Sequence, residues 1–432
     1  MTTDASIHLH HITRVEGHGD VVARIADGQL REVHFAIVEA PRFFEGILRG
    51  LAYPEVTHVA SRICGICAVS HKCAALKATE VALDVTISEQ TDMLRRLAFH
   101  GEVLSSHFLH ILFLAAPDFL DLPSVLPLVD TNPDLVRTAM RLKEIGYDLA
   151  ALVAGRHTHP IAMKVGGFTF THVPNELRAM RERLVAIRED VAAVVELFGT
   201  LQIPDLQRET EYVSLKHPDR YAFYDGDICS SDGEIVPVDR YREVIEEHIV
   251  PYSTAKHARW HRPEYMVGAL ARFNNNGEQL HPAAKEVSER LGLVAPNHNP
   301  FMITVAQLVE CVHCVEDAIE LVDELLGRHI SHSDEMAEVI ARAGHGVASV
   351  EAPRGILFHE YDYDDEGKCV AANHVIPTAQ NLGNLDADMR KLVPEIMDRS
   401  EDRIQRALEM LVRAYDPCIS CSVHMVIADA DE

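Results

Sequence analysis

Residues 62–67 read Arg-Ile-Cys-Gly-Ile-Cys, and residues 416–421, near the other end of the chain, read Asp-Pro-Cys-Ile-Ser-Cys. Each stretch contains a Cys-x-x-Cys pair, and a histidine follows each pair, His71 and His424. The two pairs can form one site only if the fold brings the ends of the chain together. Four thiolates in one place bind a soft metal ion. These stretches therefore predict a metal centre and a fold in which the chain ends meet.

Other interpretations of the cysteine pairs are open at this point. A single Cys-x-x-Cys motif occurs in redox pairs, in half of a zinc site and by chance. Two such motifs could hold a structural zinc ion, although such sites generally take their cysteines from neighbouring segments of a small module. Disulfides are disfavoured, because nine cysteines are an odd count and the first residues lack the basic and apolar regions of a signal peptide.

The remaining cysteines provide an internal comparison. Cys311 and Cys314 lie in residues 306–319, where apolar residues recur at helical spacing. We interpret them as small core residues, because a buried free cysteine behaves as a small hydrophobic side chain. The same interpretation applies to the cysteines that have no partner motif, Cys73, Cys229 and Cys369.

The composition is that of an acidic globular protein. Hydrophobic residues make up 47% and charged residues 25% of the 432 residues, which are ordinary values. The formal net charge of −26 argues against nucleic acid or an anionic membrane as a partner. The most apolar stretch, 107–129, is interrupted by histidine, aspartate and proline, which argues against direct membrane insertion. We therefore expect a soluble, cytoplasmic protein.

The hydrophobic pattern predicts a mostly helical protein with small peripheral β-sheets, an α+β fold. Residues 7–39 alternate as strands do, with Gly28 as a turn, so we expect residues 1–60 to be rich in β-structure. Residues 205–265 and 345–382 are predicted to be loops with short strands. Apolar periodicity predicts long helices over residues 90–117, 132–154, 174–198, 303–327 and 385–414.

Most of the 26 histidines are not interpreted as metal ligands. His107 and His110 lie three residues apart, on one face of a predicted helix, and we interpret them as polar core residues. His8, His10 and His11 are predicted to occupy strand and surface positions.

Four further motifs accompany the cysteine pairs. Residues 14–19 read Arg-Val-Glu-Gly-His-Gly, and residues 41–46 read Pro-Arg-Phe-Phe-Glu-Gly. Residues 351–355 read Glu-Ala-Pro-Arg-Gly, and residues 377–381 read Pro-Thr-Ala-Gln-Asn. Together with the cysteine pairs, and in this order, they resemble the large, catalytic subunit of NiFe hydrogenases, nearly end to end. The resemblance implies the helical core of that subunit and reversible heterolytic cleavage of H₂ at a nickel–iron centre.

The resemblance implies a role for each of the four paired cysteines. Cys64 and Cys418, the first of each pair, would be terminal nickel ligands, and Cys67 and Cys421 would bridge nickel and iron. Thiolate suits both roles, because it is soft, electron-rich and able to bridge two metal ions. In the family the iron also carries carbon monoxide and cyanide ligands.

The resemblance also implies polar residues around the metals. Arg354 would place its guanidinium over the open side of the nickel–iron centre, where a permanently charged group can polarise H₂. Asp118 and Asp416 are the carboxylates expected beside it. Pro353 and Thr378 lie in the two loops that would surround the metals, and Thr378 is a candidate hydrogen-bond donor to a cyanide.

Two residues are implied to act on the thiolates themselves. Glu16 resembles the glutamate that accepts the proton of H₂ cleavage from the thiolate of Cys418. An alternative for Glu16 is a salt bridge to Arg14, which needs no catalytic role. His71 is expected to support a bridging thiolate by hydrogen bonding.

Glu45 and His424 resemble ligands of a second metal site, a magnesium ion beneath the nickel–iron centre. A carboxylate with water molecules suits Mg²⁺, although imidazole is less typical of it. In the family a maturation protease removes the residues after this histidine, once nickel has been loaded, a step we expect nickel chaperones to serve. Residues 425–432 would then be a removable extension of a single domain spanning 1–432, unless so short a tail is left uncut.

The central stretches indicate a subgroup. Residues 231–234 read Ser-Asp-Gly-Glu, and residues 257–263 read His-Ala-Arg-Trp-His-Arg-Pro. They resemble cytoplasmic, multisubunit, NAD(P)-linked hydrogenases, including sulfhydrogenases. The implied partners are flavin (FAD) and NAD(P) electron-transfer subunits together with an Fe–S small subunit, because this chain has no Gly-x-Gly-x-x-Gly loop of its own.

Three alternatives to that interpretation are open. The chain could be the large subunit of a methyl-viologen-reducing or deazaflavin-reducing hydrogenase. It could be a non-catalytic relative like the quinone-site subunit of respiratory complex I, although that relative lacks the nickel cysteines. It could also be a structural zinc protein.

Overall fold

Helices make up about half of the chain, and the strands form small sheets around them. Residues 5–328, 330–331 and 336–423 are described in this computed structural model. The helices are α1 (Phe44–Leu48), α2 (Tyr53–Ala60), α3 (Ala68–Leu83), α4 (Glu89–Leu109), α5 (Ala116–Phe119), α6 (Leu126–Thr131), α7 (Pro133–Ala154), α8 (Pro174–Ala186), α9 (Arg188–Thr200), α10 (Ala269–Asn276), α11 (Pro282–Arg290), α12 (Ile303–Gly327), α13 (Pro377–Ile396), α14 (Glu401–Ala414) and α15 (Ile419–Ser422).

The strands pair mainly with sequence neighbours. They are β1 (Ala5–Leu9), β2 (Gly19–Ala26), β3 (Gln29–Ile37), β4 (Met163–Lys164), β5 (Gly167–Phe168), β6 (Glu211–Lys216), β7 (Asp227–Ser230), β8 (Ile235–Val236), β9 (Glu246–His248), β10 (His257–Arg259), β11 (Tyr265–Met266), β12 (Gly344–Ala352), β13 (Gly355–Tyr363) and β14 (Cys369–Val375). The sheet orders are β1-β2-β3, β4-β5, β11-β6-β7-β8, β10-β9 and β12-β13-β14. All these pairs are antiparallel except β11 with β6. The predicted mostly helical fold with small sheets is confirmed.

The N-terminal sheet forms as the alternating pattern predicts. Asp27 and Gly28 connect β2 to β3, with φ of 52° and 71°, the left-handed backbone that tight hairpin turns need. The β-rich part is shorter than expected, however. It ends at Ile37, and the predicted continuation to residue 60 forms α1 and α2, where Pro54 lies in the first turn of α2 and loses no hydrogen bond there.

Helices α4 and α7 pack closely through two glycines. A Cβ on Gly101 would lie 2.6 Å from the backbone nitrogen of Ala150, and one on Gly146 would lie 2.5 Å from that of Ser105. Glycine at both positions therefore lets the two backbones approach each other. Residues Glu89–Phe119 have the length and mean hydropathy of a membrane span, but 83% of their most apolar window is buried inside the protein, as in a core helix.

Helix α3, which follows the first cysteine pair, packs on the β12-β13-β14 sheet. A Cβ on Gly344 or Gly346 of β12 would collide with the backbone carbonyl of Ala82 or Ala78 of α3. The prediction of loops with short strands over 345–382 is wrong in this region, since β12 and β13 each have nine residues. Nearly every residue of both strands is buried, so the polar–apolar alternation of a half-exposed strand is absent.

Three predicted helices are interrupted. The helix predicted over 90–117 becomes α4, a π-helical turn at His110–Ala115 and α5, in which Pro117 cannot donate a backbone hydrogen bond. The helix predicted over 174–198 divides at Ile187 into α8 and α9. The helix predicted over 385–414 is two helices, because α13 begins at Pro377 and ends soon after its internal Pro394, and α14 starts afresh after Ser400. The helices predicted over 132–154 and 303–327 are confirmed as α7 and α12.

One cluster of buried apolar side chains runs through the whole described chain, from Ile7 of β1 to Cys421 of α15. A smaller cluster lies between β6, β7 and the β12-β13-β14 sheet. The main cluster joins the N-terminal sheet, the central helices and the C-terminal segment. It thereby fixes both cysteine motifs to the same core.

Candidate metal centre

Both cysteine pairs lie at the start of a helix. Cys67 directly precedes α3, and Cys418 directly precedes α15. Asp416 has a φ of 50°, a left-handed backbone that turns the chain after α14 toward the site. Glu16 and Cys418 form a parallel backbone bridge, and the N–H of Ile419 donates to the carbonyl of Glu16 at 3.0 Å. The N-terminal loop therefore holds the C-terminal cysteine motif in place.

Arg42 connects the two cysteine motifs directly. Its Nη2 donates to the carbonyl of Ile63 at 2.5 Å and also to the carbonyl of Ser420. Ile63 immediately precedes Cys64, and Ser420 immediately precedes Cys421. One guanidinium thus bridges segments that are more than 350 residues apart. Sequence reasoning missed this role, although Arg42 lies in one of the motifs.

The four paired cysteines meet at one buried point. The sulfur atoms of Cys64, Cys67, Cys418 and Cys421 lie within 4.8 Å of one another. The Sγ of Cys418 is 3.2 Å from that of Cys64 and 3.0 Å from that of Cys421. All four side chains are buried. The predicted meeting of the chain ends is confirmed.

This sulfur group fits a soft metal ion or cluster. Hydrogen bonds, first from Cys418, lower the pKa of Cys64 well below its usual value, whereas burial raises the pKa of Cys421 to about 11. The four thiols are thus not all ionised by their surroundings alone. Ionising all four together needs positive charge among the sulfur atoms. A coordinated metal ion supplies that charge and deprotonates its thiol ligands.

The other cysteines behave as the sequence predicts. Cys311 and Cys314 lie in α12 with no exposed surface, and Cys73 is also fully buried. Cys229 and Cys369 are buried within strands β7 and β14. Among the described residues, these five cysteines join no metal-binding group.

Arg354 lies buried next to the sulfur group and pairs with Asp416. Its Nη2 is 2.7 Å from Oδ1 of Asp416, and its Nε donates to the backbone carbonyl of Asp416 at 2.6 Å. Its Nη1 donates to Oγ of Ser106 at 3.1 Å. Burial alone would lower the pKa of Arg354. The negative charges of Asp416 and then Cys418 outweigh that effect and raise the pKa above its usual value. The guanidinium therefore stays charged inside the protein.

Asp118 is not beside Arg354, so that expectation is wrong. Its Oδ1 accepts from Arg14 at 2.5 Å, and its Oδ2 accepts from Arg413 of α14 at 2.7 Å. Two guanidinium groups already engage both oxygens of this carboxylate. Asp416 alone supplies the carboxylate next to Arg354 within the described part of the chain.

Glu16 faces the C-terminal cysteine motif. Its Oε2 accepts from the N–H of Ser420 at 3.1 Å, and its Oε1 accepts from the hydroxyl of Ser420. The alternative salt bridge to Arg14 is absent among the described ion pairs, where Arg14 binds Asp118. The carboxylate is thus held next to the loop between Cys418 and Cys421.

Thr378 lies in the first turn of α13, and Pro353 lies in the turn between β12 and β13. Oγ1 of Thr378 accepts from the N–H of Cys418 at 2.9 Å, at the first turn of α13. The carbonyl of Pro353 accepts from Nη2 of Arg272 at 3.0 Å. Thr378 therefore contacts a cysteine motif directly, whereas Pro353 is held in position by Arg272.

His71 does not make the expected thiolate bond. Its Nδ1 lies 3.0 Å from Nε2 of His359, and within the described residues no hydrogen bond joins its ring to a sulfur. The next contacts are from Nδ1 of His359 to the hydroxyl of Tyr361 at 2.6 Å and from that hydroxyl to Nε2 of His374 at 3.1 Å. Burial lowers the pKa of His71 to about 4, so its imidazole is neutral.

Glu45 lies in the neighbourhood expected for the second metal site. Its Oε1 accepts from the N–H of His374 at 2.9 Å. A cavity of about 150 Å³ separates Glu45 and His374 from Cys421. The second expected ligand, His424, and the tail 425–432 lie outside the described residues.

Sequence reasoning missed a buried ion-pair network at Arg272 and a buried, hydrogen-bonded carboxyl group at Glu102. Arg272 has no exposed side-chain surface and binds Glu310 at 2.6 Å and Glu351 at 2.9 Å. Glu102 accepts from the backbone N–H of Ser70 at 2.9 Å, and burial raises its pKa to about 8. The available signal is a charged residue within an apolar helical stretch, which occurs at Glu102 and at Glu310.

Two remote Cys-x-x-Cys pairs that converge in a buried helical core define a candidate soft-metal centre held by thiolates. Comparison with known proteins identifies the family. The family model described as nickel-dependent hydrogenase matches residues 42–138 and 214–424, well over half of the chain.

Individual relatives match nearly the whole chain. The alpha subunit of sulfhydrogenase 1 of Pyrococcus furiosus is 35% identical over 97% of this chain and 98% of its own length. The matching chain of the F420-non-reducing hydrogenase vhc of Methanococcus voltae is 32% identical over 97% of this chain and 95% of its own. A solved NAD⁺-reducing NiFe hydrogenase in its H₂-reduced state superposes with a TM-score of 0.88 at 29% identity, covering 98% of this chain and 100% of its own. The chain belongs to the nickel-dependent hydrogenase family. It is a large subunit, and the enzyme is an oxidoreductase that acts on H₂.

Proposed function

We propose that this chain is the catalytic subunit of a cytoplasmic, multisubunit NiFe hydrogenase linked to NAD(P). One observation carries the proposal, the four buried sulfur atoms within 4.8 Å of one another. Cys64 and Cys418 would be terminal nickel ligands, and Cys67 and Cys421 would bridge nickel to an iron that carries carbon monoxide and cyanide. When bound, this centre supplies reversible heterolytic cleavage of H₂.

Arg354 orients and polarises H₂ in this proposal. Its guanidinium is held from two sides by Asp416, through the side chain at 2.7 Å and the carbonyl at 2.6 Å, and from a third by Ser106. Preorganised charge of this kind costs no reorganisation during the reaction. Thr378 and Pro353 border the same space, and the hydroxyl of Thr378 can donate a hydrogen bond to a diatomic ligand because its oxygen accepts from the N–H of Cys418.

Glu16 moves the proton. It accepts the proton from Sγ of Cys418 and passes it toward the surface. The backbone bridge between Glu16 and Cys418 holds the two residues side by side, and both hydrogen bonds from Ser420 orient the carboxylate. A general base must lie within reach of the proton it abstracts, directly or through one water molecule.

Glu45 would bind Mg²⁺ together with His424, and residues 425–432 would be removed after nickel insertion by a maturation protease. The cavity of about 150 Å³ beside Glu45 and Cys421 gives such an ion a position directly behind the sulfur group. A carboxylate with waters is an ordinary magnesium environment.

Electrons leave through partner subunits, which are flavin and NAD(P) subunits together with an Fe–S small subunit. The five cysteines outside the sulfur group join no metal-binding group among the described residues, so this chain offers no thiolate cluster for an Fe–S relay. The sulfhydrogenase and the NAD⁺-reducing enzyme are the relatives that support NAD(P) or sulfur as the final acceptor.

The runner-up function is a hydrogenase that passes electrons to another acceptor, which the F420-non-reducing relative favours. A non-catalytic relative is disfavoured, because all four thiolates converge here. A structural zinc site is disfavoured by the charged Arg354 and its Asp416 partner, which serve no purpose beside a closed zinc site.

The acceptor is tested with the complex purified from its native host. We expect H₂-dependent reduction of NAD⁺ or NADP⁺ that needs no added dye. H₂ oxidation with viologen dyes but with neither nicotinamide nor polysulfide would instead support the runner-up function.

A further inference from the structure

Three histidines and an aspartate cluster on the outer face of the N-terminal sheet, away from the sulfur group. In the pairing of β1 with β2, His8 lies opposite Val22 and Leu9 opposite Val21. The next residue, His10, therefore reaches the position of Asp20. Side chains alternate along a strand, so His8 and His10 share one face with Asp20 between them.

The aspartate is fixed by the backbone and presents one oxygen to both imidazoles. Oδ1 of Asp20 accepts from the N–H of His11 at 2.9 Å. Oδ2 of Asp20 lies 3.1 Å from Nδ1 of His10 and 3.4 Å from Nε2 of His8. The two imidazole rings are 3.7 Å apart between centroids. Two nitrogen donors and one oxygen donor thus converge within 4.8 Å.

The spacing of these donors is that of ligands around one metal ion. Bonds of about 2.0–2.1 Å from a tetrahedral ion place neighbouring ligand atoms about 3.3 Å apart. We propose that His8, His10 and Asp20 bind a divalent transition-metal ion of the Zn²⁺ or Co²⁺ class at the protein surface. Imidazole and carboxylate suit these ions, and water would complete the coordination, with the His11 ring, 3.9 Å from Asp20, as a further donor.

Asp20 carries the charge that such a ligand needs. Its Oδ1 accepts from the backbone N–H of His11 and its Oδ2 faces the His10 ring, and both contacts suit an ionised carboxylate. The side chain is 11% exposed, whereas the rings of His8 and His10 are 47% and 62% exposed. An ion can therefore reach the donors from solvent without any rearrangement of the sheet.

The proposed metal site lies at the two ends of the loop that carries Glu16 to the C-terminal cysteine motif. His10 and Asp20 flank residues 11–19, the segment that brings Glu16 to Ser420 and Cys418. An ion held by both flanks ties the ends of this loop together and reduces its conformational freedom. The ion would act at a distance from the nickel–iron centre, as a clamp on the loop that carries Glu16.

The test is a Co²⁺ titration of the full chain followed by visible absorption. Thiolate-bound Co²⁺ has an intense near-ultraviolet charge-transfer band, whereas Co²⁺ bound by nitrogen and oxygen has only weak visible bands, so the two sites are read separately. We expect the wild type to bind one equivalent in the weak-band class and His8→Ala/His10→Ala to lose it. Asp20→Asn, which keeps the size of the side chain and an acceptor for the His11 N–H, should also lose it.

His345→Ala is the matched control. His345 is a half-exposed histidine on another sheet, 2.8 Å from Asp362 and 3.7 Å from Glu360, with a single imidazole beside two carboxylates. The His345→Ala variant should still bind the one equivalent of Co²⁺ that gives only weak visible bands. Equal Co²⁺ binding by the wild type and both site variants would overturn the proposal and leave the cluster as surface ion pairs only.

Discussion

Cys418 touches two other sulfurs, at 3.2 Å and 3.0 Å, while Cys311 is equally buried but lies in the middle of α12. We expect Cys418→Ala to abolish nickel retention, because it removes one of four thiolates from a site where the described residues offer no fifth sulfur. Cys311→Ala should leave the nickel content unchanged. Elemental analysis of both purified variants measures this, and equal nickel loss in the two would refute the assignment of ligands.

Glu16 is predicted to act on protons rather than on metals. Glu16→Gln keeps a hydrogen-bond acceptor for Ser420 but cannot take up a proton, so the variant should retain nickel and iron. General acid–base catalysis is worth about 10²–10⁴-fold, and we expect H₂/D⁺ exchange to slow by about that factor.

Glu32→Gln provides the comparison for this variant. Glu32 lies on β3 of the N-terminal sheet, beside the strands that flank the Glu16 loop, and pairs with Arg24 at the surface. Its removal should leave exchange at the wild-type rate. Normal exchange in Glu16→Gln would take Glu16 out of the proton path.

Much of the site could be predicted at the residue scale, because its motifs are local. The cysteine pairs, Arg354 with Asp416, and Glu16 near Cys418 occur where the sequence indicates. The misplaced residue, Asp118, and the missed residue, Arg272, depend on partners that come from distant segments. Such pairings follow from the three-dimensional fold and leave little trace in a short stretch of sequence.

At the scale of elements, the approach of α4 to α7 depends on glycine. Gly146→Ala would place a Cβ 2.5 Å from the backbone nitrogen of Ser105, and backbone atoms cannot move aside as a side chain can. Overpacking of this kind costs about 1–3 kcal/mol. We expect a lower free energy of unfolding for the complex, measured by denaturant titration.

Gly199→Ala is the matched substitution in another helix. A Cβ on Gly199 of α9 would meet only the side chain of Leu291, at 4.0 Å. The same change should therefore cost no stability there. Equal destabilisation by both substitutions would mean that helix packing at Gly146 is not the cause.

Arg272 ties α10, α12 and β12 together through two buried carboxylates and the carbonyls of Ala352 and Pro353. Arg272→Met would leave Glu310 and Glu351 without their counter-charge. Removing one partner of a buried ion pair costs about 3–5 kcal/mol, so we expect a loss of stability in that range. Arg259→Met, at an exposed pair with Glu246, should cost far less stability by the same denaturant titration, because solvent screens that pair.

A stability loss no larger for Arg272→Met than for Arg259→Met would contradict this role of the network. Arg272→Met should also show reduced H₂ oxidation per nickel, because Arg272 holds the carbonyl of Pro353, the residue before Arg354.

Whether a helix or strand is predicted correctly depends on whether one of its faces is exposed to solvent. Helices with one apolar face, such as α7, leave a clear period in the sequence, and Asn132 caps α7 through its side chain. Strands β12 and β13 are buried on both faces, so they lack alternation and are not predicted as long strands. The breaks near Pro117 and Pro394 depend on how the neighbouring turns pack, which periodicity alone does not reveal.

At the scale of the whole molecule, the fold brings together segments more than 350 residues apart and seals them inside one core. The N-terminal loop with Glu16, the first cysteine motif, the Arg354 loop and the C-terminal motif all contribute to one small volume. No single segment can form the site alone. Metal loading should therefore depend on the complete fold, consistent with the proposed removal of the tail after nickel insertion.

The most direct test of the central claim is an infrared spectrum of the protein purified from its native host, in the region where metal-bound carbon monoxide and cyanide absorb. We predict carbonyl and cyanide bands together, in protein that contains nickel and iron and whose chain ends at His424. Zinc at the four cysteines, with neither band present in protein that has lost its tail, would contradict the claim.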